Sequence, residues 1–180
     1  PKIIVALAPA QKPGPTAAEI IKDRLAGRRN QWLIASNEEH KGPPIIDPAV
    51  QTELENLLAS AGQACNALPK PAALDVLAGK KKFADLDADK TCSFYIQAEG
   101  FSEFGKRLNA DLVSCVGRVE MKIIDARTGN TLAAGDAEGR ATDLGEQLAA
   151  KQALKRATRQ LLLQLVGKLP EPREPAADAD

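Results

Sequence analysis

The sequence predicts an α/β (α+β) fold: a mixed sheet of about five strands with a long C-terminal helix and capped helices packed against it. Three observations predict it. A strand–helix–strand pattern opens the chain, strict two-residue alternation runs through its middle, and one long helical period occupies residues 144–168. With 180 residues, the expectation is a single α/β domain over 1–169 and a disordered Pro/Ala/acidic tail over 170–180.

The elements follow in order. Lys2–Ala8 is a short apolar run bounded by Pro9, Pro13 and Pro15, as expected of a buried strand. Thr16-Ala-Ala-Glu19 is a capping box, launching a helix with Ala18, Ile20, Ile21 and Leu25 inward and Gly27 as its stop. Gln31–Ala35 reads as the second strand, and Asn37–Ile46 as a proline-bearing loop. Asp47 then serves as N-cap with Pro48 at N1. Val50, Leu54, Leu57, Leu58 and Ala61 recur at helical spacing up to Gly62. Pro71–Gly79 predicts a third helix with Leu74 and Leu77 inward.

From Thr91 the period changes to two, with Cys92, Phe94, Ile96 and Ala98 on one parity. The most regular strand sets Val113, Cys115, Val119, Met121 and Ile123 against Arg118, Glu120 and Lys122. Asp125–Asn130 is a turn, and Thr131–Arg140 returns as a hairpin partner thinned by alanine and glycine. Asp143-Leu-Gly-Glu146 is a second capping-box pattern. The helix behind it presents Leu148, Ala150, Leu154, Ala157, Leu161 and Leu165 inward until Pro170.

Composition narrows the chemistry. Lys plus Arg equals Asp plus Glu at 24 each, which argues against a dedicated nucleic-acid binder. Hydrophobic residues make up 44%, 31 of them alanine, against 3% aromatic, so the core is aliphatic and offers few stacking surfaces. No apolar run reaches the roughly 18–20 residues of a membrane span. Pro1 with a strand-like run directly behind it reads as a processed fragment, so a signal peptide or a lipid anchor upstream of Pro1 would be out of view.

No motif points to catalysis, a cofactor or a metal. Gly100–Arg107 matches G-x-x-x-x-G-K. However, Arg107 replaces the magnesium-binding hydroxyl, Glu103 would face phosphates, and strand instead of helix follows, so a β-turn connection is expected. Asp85-x-Asp87-x-Asp89 begins like a calcium loop, but Lys90 and Ile96 stand where Gly and Glu close the cage. His40 reads as an exposed loop histidine with no nucleophile near it in sequence. Lys151, Lys155 and Arg159 lie at i, i+4 and i+8, forming a basic stripe that is a solvated face or a partner-docking strip. Three cysteines are too few for a disulfide-stapled scaffold, and the lack of CxxC argues against a zinc site. If Gly100–Arg107 folds about Glu103 and Phe104, Cys92 and Cys115 oppose each other at about 4.5–5.5 Å between Cα atoms, a disulfide separation. An oxidising periplasm would then leave Cys65 the free thiol, whereas cytosol would keep all three reduced.

The run Ser114–Leu132, a strand, D-x-x-T-G turn and strand, resembles the hairpin of bacterial cell-envelope assembly proteins. Ala149-Ala-Lys-Gln-Ala-Leu-Lys-Arg-Ala157 is similar to the Ala-rich helix that follows it in them. The families are flagellar assembly protein T and the TolB amino-terminal-like modules of envelope lipoproteins, and the resemblance covers roughly residues 95–166. It implies a non-enzymatic scaffold or assembly module, periplasmic or held at the outer membrane. Its partners would be other envelope proteins or further copies of itself. The alternatives are a small-ligand or phosphate-binding enzyme using Gly100–Arg107, and a trimmed interaction domain of a longer chain.

Overall fold

A computed structural model describes residues 14–25, 30–41, 47–87, 89–109 and 112–170. In chain order these form α1 (Ala17–Arg24), β1 (Gln31–Lys41), α2 (Ala49–Ser60), β2 (Ala64–Ala67), α3 (Lys70–Leu77), a 3₁₀ turn at Phe83–Asp85, β3 (Phe94–Arg107), β4 (Val113–Asp125), β5 (Thr131–Asp143) and α4 (Glu146–Val166). The strands make one five-stranded sheet in the order β2-β1-β3-β4-β5. β1 runs parallel to β2 and β3, while β3, β4 and β5 form an antiparallel meander. The fold is therefore α+β with a mixed sheet, as the sequence predicts. Its fifth strand is Ala64–Ala67, which the sequence reading leaves without an element, whereas Lys2–Ala8 lies outside the described residues, as do Gly27 and 171–180.

Side-chain parity divides the sheet into two faces. Trp32, Ile34, Ile96, Ala98, Val119, Met121 and Ile123 join Ile21, Leu54, Leu58, Leu154, Leu161 and Leu165 in the main core beneath α1, α2 and α4. Leu33, Ala35 and Tyr95 face the other way and meet Ala73, Val76 and Phe83 under α3 and the 3₁₀ turn. The predicted faces of α2 and β4 hold throughout. In α4, Ala150, Leu154, Ala157, Leu161 and Leu165 are buried, but Leu148 points away from the sheet and is exposed. In α3 the inward residues are Ala73 and Val76, with Leu74 exposed and Leu77 half-buried, because it is the Ala73–Val76 edge that packs on Leu33 and Ala35 of β1.

The local signals form as read at two places. Thr16 Oγ1 accepts from the Glu19 amide at 3.3 Å and the Glu19 carboxylate accepts from the Thr16 amide at 2.6 Å, a complete capping box. Asp125 Oδ1 accepts from the amides of Arg127 and Thr128 at 2.8 and 2.9 Å, and Gly129 takes φ +73° to close the hairpin.

Elsewhere pairing with distant elements overrides the local signals. The supposed loop after Ala35 is strand as far as Lys41, because β1 pairs with β3 from Trp32↔Phe94 to Lys41↔Glu103. Gly100–Arg107 is neither a phosphate loop nor a turn: it is the second half of β3, paired with β1 as far as Glu103 and with β4 to Arg107, with a bulge at Gly105. Asp143 ends β5 and its carboxylate accepts from the Leu144 amide, so Gly145, not Asp143, is the N-cap of α4. Asp47 does not cap α2, whose N-cap is Pro48. Two glycines set how closely α4 lies on the meander. A Cβ on Gly117 would stand 2.8 Å from the Leu154 nitrogen, and one on Gly139 would run into the carbonyl of Ala153. The thinness of β5 is what admits the helix.

Candidate functional site

Beyond Ile34 the inward parity of β1 turns polar: Ser36, Glu38 and His40. These residues lie where α2 and α4 begin, and Glu38 answers the unpaired first-turn amides of α2 from another element. The Glu38 carboxylate accepts from the amides of Ala49 and Val50 at 2.9 and 2.6 Å, so it is α2's cap across the fold. Burial pushes its pKa above the ordinary carboxylate value, and the same amides pull it back. Asp47 instead accepts from Lys151 Nζ at 2.7 Å, a contact that holds its carboxyl below the usual range.

His40 is not an exposed loop residue. Its side chain has 0% exposure, with Nδ1 2.9 Å from Ser102 Oγ and Nε2 3.2 Å from Glu146 Oε1. With Nε2 donating to the Glu146 carboxylate, a neutral ring has Nδ1 left to accept from the Ser102 hydroxyl. Cys115 Sγ donates to the Glu146 carbonyl at 3.5 Å, adding β4 to the cluster. Serine, histidine and carboxylate in this order make the relay of a hydrolase. Here the hydroxyl is sealed: Ser102 is 0% exposed, on the sheet face that the helices cover. The contacts tie the first turn of α4 to β1 and β3.

The basic stripe lies along α2. Arg159 donates from Nε and Nη2 to Glu53 Oε1 at 2.9 and 2.7 Å, covering a carboxylate that is itself buried. Lys151 holds Asp47, and Lys155 stands between the two, half-buried. Asp87, the middle member of the calcium-like run, accepts from the Thr91 and Cys92 amides and from the Tyr95 hydroxyl, joining the 3₁₀ turn to β3. Among the described residues, no group of three or more His, Cys, Asp or Glu is placed to hold a metal ion.

The condition for bonding Cys92 to Cys115 fails. No turn folds at Glu103 and Phe104; Cys115 pairs with Phe104, whereas Cys92 precedes Phe94, the partner of Asp125 at the far end of β4. All three cysteines are free. Burial raises the thiol of Cys92 to about 11 and pushes those of Cys65 and Cys115 up as well.

The His40 cluster escapes the sequence reading because its members lie 62 and 106 residues apart. Its one sequence signal is the continued alternation from Ile34 to Ser36, Glu38 and His40, which places polar groups on a core-facing parity once the strand is extended.

No family model and no curated protein matches the chain. Solved structures resemble it in fold. A hypothetical protein from Chlamydia trachomatis aligns with a TM-score of 0.53 at 10% identity, covering 78% of this chain and 98% of that one. The PelC dodecamer from Paraburkholderia phytofirmans aligns at 0.45 and 12%, covering 80% and 89%. Lipoprotein GNA1162 from Neisseria meningitidis aligns at 0.35 and 14%, covering 68% and 90%. The first supports the α+β architecture, and the other two, below 0.5, carry no argument here. No described helix is long and apolar enough to cross a membrane.

Proposed function

We propose that the chain is a non-enzymatic module of the bacterial envelope, periplasmic or at the outer membrane, that works through contacts with other envelope proteins. The observation that carries this reading is the sheet face left open beyond α3. On it the register aligns Glu39, Phe101, Arg118 and Glu138 across four strands. Phe101 stands in that row at 43% exposure. Arg118 pairs with Glu120 at 2.9 Å and Asp136 at 3.8 Å, with all three side chains more than half exposed. Exposed pairs of this kind stabilise the fold by only about 0–1 kcal/mol and can exchange partners readily. An aromatic beside an arginine is what protein interfaces use as anchors. The interior supports the same reading, since its serine–histidine–glutamate relay is sealed and α2's first amides are taken by Glu38. In the basic stripe, Lys155 is the cation left for a partner, because Lys151 and Arg159 serve Asp47 and Glu53.

The test places a photo-crosslinking residue at Phe101, and in a second strain at Lys155, in the protein expressed from its own gene. The expected result is recovery with the envelope fraction and discrete crosslinked species from position 101. Recovery in the cytosolic fraction with no crosslink at either position would overturn the proposal.

A further inference from the structure

We propose that the groove between α3, the 3₁₀ turn and the β4–β5 turn binds a small anionic amphiphile, its charged head held by Lys81, Lys82 and Arg127 and its apolar body lying on Ile124 and Ala126, over the buried Val76, Phe83 and Tyr95. Of the four cavities described, this one is the largest, at about 600 Å³ against about 150, 270 and 170 Å³. That is the size range of small-molecule sites. Its lining contains three cations and no carboxylate, on a chain whose formal charge is zero. The other three each include at least one glutamate.

The cations come from opposite walls. Lys81 and Lys82 follow the C-terminal end of α3, and Arg127 rides the hairpin turn. Four carboxylates stand close by outside the lining: Asp75 pairs with Lys81 at 3.0 Å, Asp85 accepts from the Lys82 amide, Asp87 from the Tyr95 hydroxyl, and Asp125 from the Arg127 and Thr128 amides. Among the described residues, no ion pair engages Lys82 Nζ or the Arg127 guanidinium. Between the walls, Phe83 and Tyr95 stack with centroids 4.7 Å apart and planes 10° from parallel. Tyr95 spends its hydroxyl on Asp87.

Main-chain chemistry separates an amphiphile from a peptide. The amides of Lys80 and Lys81 donate to the Asp75 carbonyl, that of Gly129 to the Asp125 carbonyl, and those of Arg127 and Thr128 to the Asp125 carboxylate. An extended peptide would find few free donors on these walls, and β-type recognition depends on them. What the groove offers is side-chain charge above apolar surface.

The experiment is calorimetric titration of the whole chain with dodecyl phosphate below its micelle concentration, beside inorganic phosphate and uncharged dodecyl maltoside. One-to-one binding of dodecyl phosphate is expected, weakened by about tenfold or more when Lys82 and Arg127 are both changed to alanine, as fits loss of charged hydrogen bonds. Both side chains are exposed, so the variant should keep the melting temperature of the parent. Ala84→Trp, which fills the groove from an exposed position, should weaken binding independently of charge. Absence of saturable binding, or equal affinity in both variants, would overturn the proposal. So would dodecyl maltoside binding as tightly, which would mean apolar adsorption, or inorganic phosphate binding as tightly, which would mean a simple anion site.

Discussion

Glu38 does a task that most helices assign to a neighbouring residue. Two amides point at its carboxylate, and an amide side chain cannot accept from both, since its NH₂ would face one donor. Glu38→Gln is therefore expected to cost about 1–3 kcal/mol in urea denaturation, the scale of leaving a buried donor unpaired. The pH dependence has a definite sign. Burial, the largest cause, raises Glu38 above its ordinary 4.5, so the folded state holds this proton more tightly than the unfolded chain. Its contribution to stability is then fully present below 4.5 and is lost as pH rises through the folded value. The advantage of the wild type over Glu38→Gln should accordingly widen as pH falls from neutral to below 4.5. Asp47, which hydrogen bonding to Lys151 holds below 3.8, acts in the opposite sense but is common to both proteins. A gap that narrowed over this range would mean that the two amides, and not burial, govern Glu38.

At the scale of elements, α4 is held by one apolar stripe, a glycine bed and two ion-paired cations. Leu154 is fully buried against the sheet, directly over Gly117. Leu154→Ala should cost about 2–5 kcal/mol. Lys155→Ala should change stability by less than about 0.5 kcal/mol, as surface substitutions do. Arg159→Ala should fall between them, about 1–3 kcal/mol, because it strips a buried carboxylate of its hydrogen-bond donor. Thermal or urea unfolding of the three variants tests the order. Equal losses for Lys155→Ala and Arg159→Ala would mean that the Glu53 contact does not staple α4 to α2.

Across the whole molecule the two sheet faces are unequally covered. The face beneath α1, α2 and α4 carries a core from Ile21 to Val166, and ten α4 residues are buried. The opposite face carries a cluster of six buried residues, three on the sheet and three from α3 and the 3₁₀ turn, then opens into the charged surface around Phe101. Elements with few buried contacts open locally, at free energies below that of global unfolding. Native-state hydrogen exchange should show α3 amides exchanging through such openings while central α4 amides exchange only with global unfolding. Equal protection of the two helices would mean that the smaller cluster is no weaker than the main core.

The sequence by itself determined the features whose physics is local. The Thr16 box, the Asp125 turn, the alternation of Val119, Met121 and Ile123, and the stripe from Ala150 to Leu165 each rest on residues within a few turns or one strand of each other. Tertiary structure decided whatever depended on a distant partner. Gly100–Arg107 punctuates like a turn, yet pairing with β4 along its length, and with β1 as far as Glu103, holds it extended. Asp47 and Asp143 look like caps, but a closer carboxylate reached α2 from β1, and α4 starts past the end of β5. His40 gained a serine and a glutamate because parallel pairing with β3 carried it under the first turn of α4. A backbone amide takes the best acceptor within hydrogen-bond reach, and only the packed fold determines which acceptor that is.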